Sequence, residues 1–192
     1  MDHVQTFLIH PGPTECHTYL TARQQTLDAG DAGIRRLTEI MLNGPERQSW
    51  RAARLLNTFP DRRVIPAFLR ALESPYPLTR QAAVSALADF RDCSVVPALL
   101  ERLPEETEMI QLLIVDCLGK LDDARAVASL QALLAETRSS PIQLGIIDAF
   151  GRLGDTTVAS LLPAFFESED PHVRKRSRAV YQQLTAASRE EP

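Results

Sequence analysis

Five aspartates, Asp31, Asp61, Asp92, Asp123 and Asp155, recur along the chain about one repeat length apart, and each is followed by a stretch whose apolar residues fall at helical spacing. A period of about thirty residues leaves few folds open: it holds two helices and a turn, too little to bury a core alone, so such units are stable only when stacked on their neighbours.

Aligned on the aspartates, the other residues fall into columns. Two residues before Asp61, Asp92, Asp123 and Asp155 stand Phe59, Phe90, Leu121 and Leu153; five before stand Leu56, Leu87, Leu118 and Phe150. Six before are Leu55, Ala86, Cys117 and Ala149, and nine before are Ala52, Ala83, Ile114 and Ile146. These offsets lie on one stripe of a helix, which predicts a first helix, A, in every unit. Seven before the aspartate are Arg54, Ser85, Asp116 and Asp148, a polar column expected to face water.

A second helix, B, is predicted after each aspartate from Val64-Ile65, Val95-Val96, Ala126-Val127 and Val158-Ala159, then Phe68, Leu99, Leu130 and Leu162, then Leu72, Leu103, Leu134 and Phe166. Pro66 and Pro97 fit only the first turn of such a helix, so the A–B turn is short. The aspartate itself is expected to accept hydrogen bonds from free backbone N–H groups at the turn, a structural rather than a catalytic role.

The units run approximately over 44–74, 75–105, 106–137 and 138–168. A last helix over about 172–186, with Val173, Ser177, Val180, Tyr181 and Leu184, keeps the A pattern and is expected to cap the C-terminal end. Asp31 with Ile34, Leu37, Ile40 and Met41 reads as a helix B, whereas 14–27 matches the A columns badly, as terminal repeats do. The expected organisation is a flexible N-terminal arm over 1–13, containing Pro11-Gly12-Pro13, a single repeat domain over 14–188 and a disordered tail over 189–192.

With 192 residues and 44% hydrophobic content the chain has material for a substantial core, and its longest apolar runs are far too short for a membrane span. The N-terminus lacks the basic start and apolar stretch of an export signal, so a cytoplasmic location is expected. Cys16, Cys93 and Cys117 show no CxxC spacing and read as reduced thiols, Cys117 as a core residue. A net charge of −4 argues against broad nucleic-acid binding.

The runs Leu118-Gly119-Lys120-Leu121-Asp122-Asp123 and Phe150-Gly151-Arg152-Leu153-Gly154-Asp155, with Arg80 to Leu87 and Val95-Val96-Pro97-Ala98-Leu99, resemble the HEAT repeat, and more narrowly the short HEAT-like repeats of phycobilisome lyases. The resemblance covers about 34–184. Two units depart from it, reading Asn57-Thr58-Phe59-Pro60-Asp61 and Ala88-Asp89-Phe90-Arg91-Asp92 without the glycine. It implies an all-α fold, a right-handed α-α superhelix or solenoid of about five helix pairs, with a concave surface lined by B helices.

The same resemblance implies several functional classes: protein-binding scaffolds, bilin lyases and related chaperone-like proteins, metal-dependent hydroxylases, and DNA glycosylases. Fold alone does not choose among them. The hydroxylases use His-Glu pairs, and this chain has no His-Glu dipeptide. His10, Cys16 and His17 have ligand chemistry but no standard metal-site spacing, so no metal is expected. A glycosylase needs a basic groove and an aromatic platform, whereas the single Trp50 falls in a column suited to packing between repeats. No nucleophilic triad, phosphate-binding glycine loop or catalytic carboxylate pair is present.

The charges left over after the repeat is accounted for are the functional clues. Arg47, Arg51 and Arg54 with Arg62, Arg63 and Arg70 make the first full repeat basic; Glu101 with Glu105, Glu106 and Glu108 is an acidic counterweight; Arg174, Lys175, Arg176 and Arg178 form a second basic cluster. Arginine binds carboxylates and phosphates bidentately and is enriched at interface hot spots. The expectation is therefore a non-catalytic scaffold or adaptor without a cofactor. It holds a protein partner with an acidic surface on the helix-B face through Arg62, Arg63, Arg70, Glu101, Arg102, Arg174 and Arg178. The alternative is a bilin-lyase-like or phycobiliprotein assembly factor handling an open-chain tetrapyrrole; any activity would then be lyase-type chromophore attachment.

Overall fold

The computed structural model describes residues 2–9, 15–59 and 61–190, with side chains over 2–9, 19–59 and 61–186. Among them the regular structure is entirely helical: α1 (His3–Ile9), α2 (Glu15–Asp28), α3 (Asp31–Asn43), α4 (Glu46–Leu56), α5 (Ile65–Ala71), α6 (Pro77–Phe90), α7 (Val96–Arg102), α8 (Glu108–Leu121), α9 (Ala126–Glu136), α10 (Ser140–Leu153) and α11 (Pro171–Glu190). Short 3-10 turns, Arg62–Val64 and Cys93–Val95, lead into α5 and α7. The A–B alternation predicted from the columns is the alternation observed.

The recurring aspartate has its expected structural role at four of five positions. Asp61, Asp92 and Asp155 have extended backbones, and at these three and at Asp123 the carboxylate accepts the N–H two residues on, from Arg63, Ser94, Thr157 and Arg125 respectively. An extended residue whose side chain satisfies a free N–H at a helix start is a cap, which gives the recurring carboxylate its role. Asp31 differs. It lies inside the first turn of α3, behind Gly30, whose φ of 54° opens the helix without a side-chain cap.

One predicted B helix is of another kind. Over Thr156–Phe165 the chain winds as a 3-10 helix, with Pro163 inside it. A proline there has no N–H to give and its ring crowds the preceding turn, so an α-helix cannot run through. The apolar columns still turn inward, with Val158, Ala159 and Leu162 buried.

The chain divides into two compact units, 1–90 and 91–192. In unit 1, α3 packs on α4 and α5, α6 packs on the same two helices, and α1 packs on α2 and α4. Leu55, Leu56, Phe68, Leu72 and Leu87 are fully or almost fully buried. The flexible arm expected over 1–13 is corrected over its helical part: Val4, Phe7 and Leu8 of α1 are buried, and the free N–H of His3 is accepted by Gln25 Oε1 at 2.9 Å. Three apolar side chains on one short helix give enough burial to hold it in place. Residues 10–13 of that arm lie outside the described residues.

In unit 2, α8, α10 and α11 pack side by side, and α11 also covers the 3-10 segment. Cys117 is buried among them, whereas Cys93 is exposed. The polar column expected to face water is only partly exposed here, because it makes ion pairs between A helices: Asp116 with Arg152 at 2.7 Å, and Asp148 with Arg176. The terminal helix runs to Glu190, so the first two residues of the expected disordered tail are helical, and 191–192 lie outside the described residues.

Candidate functional site

Consecutive B helices of unit 1, α3 and α5, enclose a groove of about 550 Å³. Ile34 and Leu42 from one side and Pro66 and Ala67 from the other supply its apolar surface; Arg35, Glu39, Arg63 and Arg70 are its charged rim. Arg35 reaches it because α3 is shifted by one residue against the other B helices. The residues buried in α3 are Gly33, Leu37 and Met41, two, six and ten after Asp31, whereas Val64, Phe68 and Leu72 are three, seven and eleven after Asp61. Asp31 starts the helix from inside its first turn, so the register slips, and Arg35 and Glu39 take the exposed places that Pro66 and Arg70 hold on α5.

The groove's three guanidinium groups differ in availability. Arg63 is held by the carboxylate that caps its own turn, with Nη2 at 2.6 Å from Asp61 Oδ2 and Nε at 3.0 Å from Oδ1, and its Nη2 also meets Asp31 at 3.1 Å. The Arg63 side-chain hydrogen bond holds the Asp61 carboxyl below its ordinary range, and Asp61 followed by Asp31 pushes the guanidinium further up. Arg35 and Arg70 are exposed and make no hydrogen bond or ion pair among the described residues. Two uncommitted guanidinium groups beside an apolar surface can grip a carboxylate while a neighbouring apolar group is buried.

The remaining predicted residues have other surroundings. Arg62 is exposed and donates to the Phe90 carbonyl at 3.2 Å. Glu101 is exposed on α7 without a partner among the described residues. Arg102 bridges Glu105 at 3.0 Å and the buried Glu106 at 3.2 Å. Arg174 donates to the carbonyls of Ser168 and Glu169, and Arg178 to the Phe166 carbonyl at 2.8 Å and to Glu167 at 3.0 Å. These two therefore pin the turn before α11. Phe166 packs edge-on against Tyr181 with ring centroids 5.5 Å apart, in the terminal-helix packing rather than as a free anchor. Of the seven residues singled out, the structure brings Arg63 and Arg70 together in the groove.

The repeat does not mark Arg35 and Glu39, because Asp31 stands at the repeating position while Gly30 opens the helix. The signal that would have found them is the spacing of Leu37 and Met41, each one residue ahead of its column. Among the described residues no group of histidine, cysteine and carboxylate side chains could hold a metal. His10, Cys16 and His17 fall outside the described side chains. No described helix is long and apolar enough to cross a membrane.

A crystal structure of an engineered protein is similar to the chain over 96% of its length and 95% of the other's, at 18% identity and a TM-score of 0.65. The structure of the complex of CpcE and CpcF of phycocyanin lyase from Nostoc sp. PCC7120 is similar over 92% of this chain and 74% of that one, at 19% identity and a TM-score of 0.60. At such identities the likeness is one of fold. No curated protein sequence matches. The family model for HEAT repeats matches residues 34–110 and 96–181, and with the capped helix pairs at the same positions the chain belongs to the HEAT-repeat family.

Proposed function

We propose that the chain is a non-catalytic scaffold that binds another protein on its helix-B face, with the α3–α5 groove of unit 1 as the docking site. The observation that carries this reading is the contrast among the groove's arginines. Arg63 is tied to Asp61 and Asp31, while Arg35 and Arg70 stand uncommitted beside Ile34, Leu42 and Pro66. Charged groups with no internal partner, next to exposed apolar surface, are available to a partner at little reorganisation cost. The acidic surface expected of that partner matches the two free guanidinium groups.

The test is capture of partners from the native extract on tagged wild-type protein and on the Arg35→Glu/Arg70→Glu variant, with mass spectrometry of both eluates. A protein retained by the wild type and lost from the variant is the expected result. Identical eluates, or none retained by either, would sink the proposal.

A second reading, a tetrapyrrole-handling assembly factor, is supported by the fold likeness to the phycocyanin lyase complex. In that case Arg35 and Arg70 would hold the propionates of an open-chain tetrapyrrole. An eluate absorbing in the visible, bleached by the same double variant, would favour it over the scaffold reading.

A further inference from the structure

The helix-A side of unit 1 carries a second groove, also about 550 Å³, lined by α4 and α6 and by Tyr19 of α2. Trp50, the chain's single tryptophan, lines it with Leu78 and Ala82. Leu78, one of the lining residues, is 46% exposed.

The charge of this groove is one-sided. Arg54 lies over the Trp50 ring, its guanidinium carbon 5.1 Å from the ring centroid, and no carboxylate is among the lining residues. Arg47 is exposed on α4, two turns before Arg54 and on the same stripe as Trp50. Neither arginine makes a hydrogen bond or ion pair among the described residues. Asp89, on α6, is engaged by Asn57 Nδ2 at 3.1 Å. A guanidinium stacked on an indole loses little freedom on binding and keeps its N–H edge for a planar acceptor. Tryptophan, tyrosine and arginine together are the composition of interface hot spots.

We propose that this groove is a second docking surface, separate from the helix-B groove, and that its occupant is an acidic peptide segment of a partner protein. An apolar side chain of the segment sits on Trp50 and Leu78, and an aspartate or glutamate beside it pairs with Arg54 and then Arg47. A nucleic acid is the poorer fit, since one indole and two arginines make neither a run of stacking platforms nor a basic track.

Trp50 makes the test direct, because its fluorescence reports on the groove with no added label. Short random peptides are selected on the immobilised full chain, and the enriched ones are titrated while Trp50 emission is followed. The expected result is enrichment of sequences pairing Asp or Glu with an apolar residue, a saturable emission change, and affinity weakened by about tenfold or more in Arg54→Glu, as for loss of one charge-assisted pair. Arg70→Glu should leave that affinity within about twofold, as for a distant independent site. Circular dichroism on Arg54→Glu, whose side chain is exposed, separates lost binding from lost folding, and Arg54→Gln serves if the reversal unfolds the chain. Failure to enrich any peptide, enrichment of basic or neutral peptides, or equal affinity in Arg54→Glu would overturn the proposal. So would an equal emission change with a single-stranded oligonucleotide. Affinity lost in Arg70→Glu but kept in Arg54→Glu would assign the peptides to the helix-B groove and also overturn it.

Discussion

The guanidinium of Arg51, only 3% exposed, donates to the backbone carbonyl of Phe7 at 2.5 Å and lies 5.4 Å from the centroid of the same residue's ring. One side chain on helix α4 thus closes the C-terminal half of α1 by a charge-assisted hydrogen bond and a cation–π contact. Replacing it with methionine keeps much of the packing volume but leaves the buried acceptor unmet. Arg51→Met should cost about 2–3 kcal/mol, the range for loss of a charged hydrogen bond in a desolvated place. Urea unfolding measures the loss, and hydrogen exchange locates it. Amides of 3–9 should lose protection before those of α10. Unchanged stability would mean that α1 is held by its apolar side chains and the Gln25 cap without Arg51.

Asp155 offers a test of what the recurring carboxylate does. It accepts the N–H of Thr157 at 2.8 Å and the Thr157 hydroxyl at 2.5 Å. Asp155→Ala should destabilise by about 1 kcal/mol, the usual value of a cap, while Asp155→Asn should cost a fraction of that because asparagine caps equally well. Equal losses from the two would show that charge, not hydrogen bonding, maintains the column.

Acid should weaken the fold through the aspartates whose carboxyls are held low. Arg63 does this to Asp61, Arg125 to Asp123, and the backbone N–H of His172 to Asp170. At Asp116 burial pulls the other way, but Lys120 and Arg152 outweigh it. Since each folded-state carboxyl titrates below the ordinary value of 3.8, the ionised form favours folding. That stabilisation is complete above the unfolded-state value, about pH 4, and lost as pH falls through the lower folded-state values. Urea midpoints should therefore hold steady from about pH 7 to 5 and fall below about pH 4. In Asp123→Asn the fall should be shallower; an unchanged slope would remove Asp123 from the account.

The helix pairs, their turns and four of the five caps were legible because a stacked array repeats its constraints, so each column is read several times over. Features that occur once had no such redundancy. Arg51 looked like surface charge in the basic first repeat, since its acceptor is a carbonyl on α1 and no sequence pattern announces a backbone group. Arg174 and Arg178 read as a docking cluster for the same reason, whereas their partners are carbonyls of the turn at 166–169. The register of α3 misled because Asp31 occupies the repeating position without performing the repeating role. Pro163 was visible, yet its effect on the last B segment depends on where the helix begins, which the columns leave undetermined.

Among the glycines of unit 2, Gly119 meets the tightest steric demand. A Cβ on Gly119 of α8 would stand 3.0 Å from both Cα and Cβ of Ala149 on α10, and a main-chain atom cannot turn aside. Gly119→Ala gains about 1 kcal/mol of helix propensity but overpacks against backbone, at the upper end of a cost of about 1–3 kcal/mol, so a net loss of up to about 2 kcal/mol is expected. Gly151 is the internal control. Its added Cβ would meet a Val180 methyl at 3.2 Å, an atom that small side-chain adjustments can move. Gly151→Ala should be close to neutral, within about 1 kcal/mol of wild type, because the propensity gain offsets the milder crowding. Thermal and urea unfolding of the two variants measure the difference. If Gly151→Ala is as damaging as Gly119→Ala, backbone proximity is not what reserves position 119 for glycine.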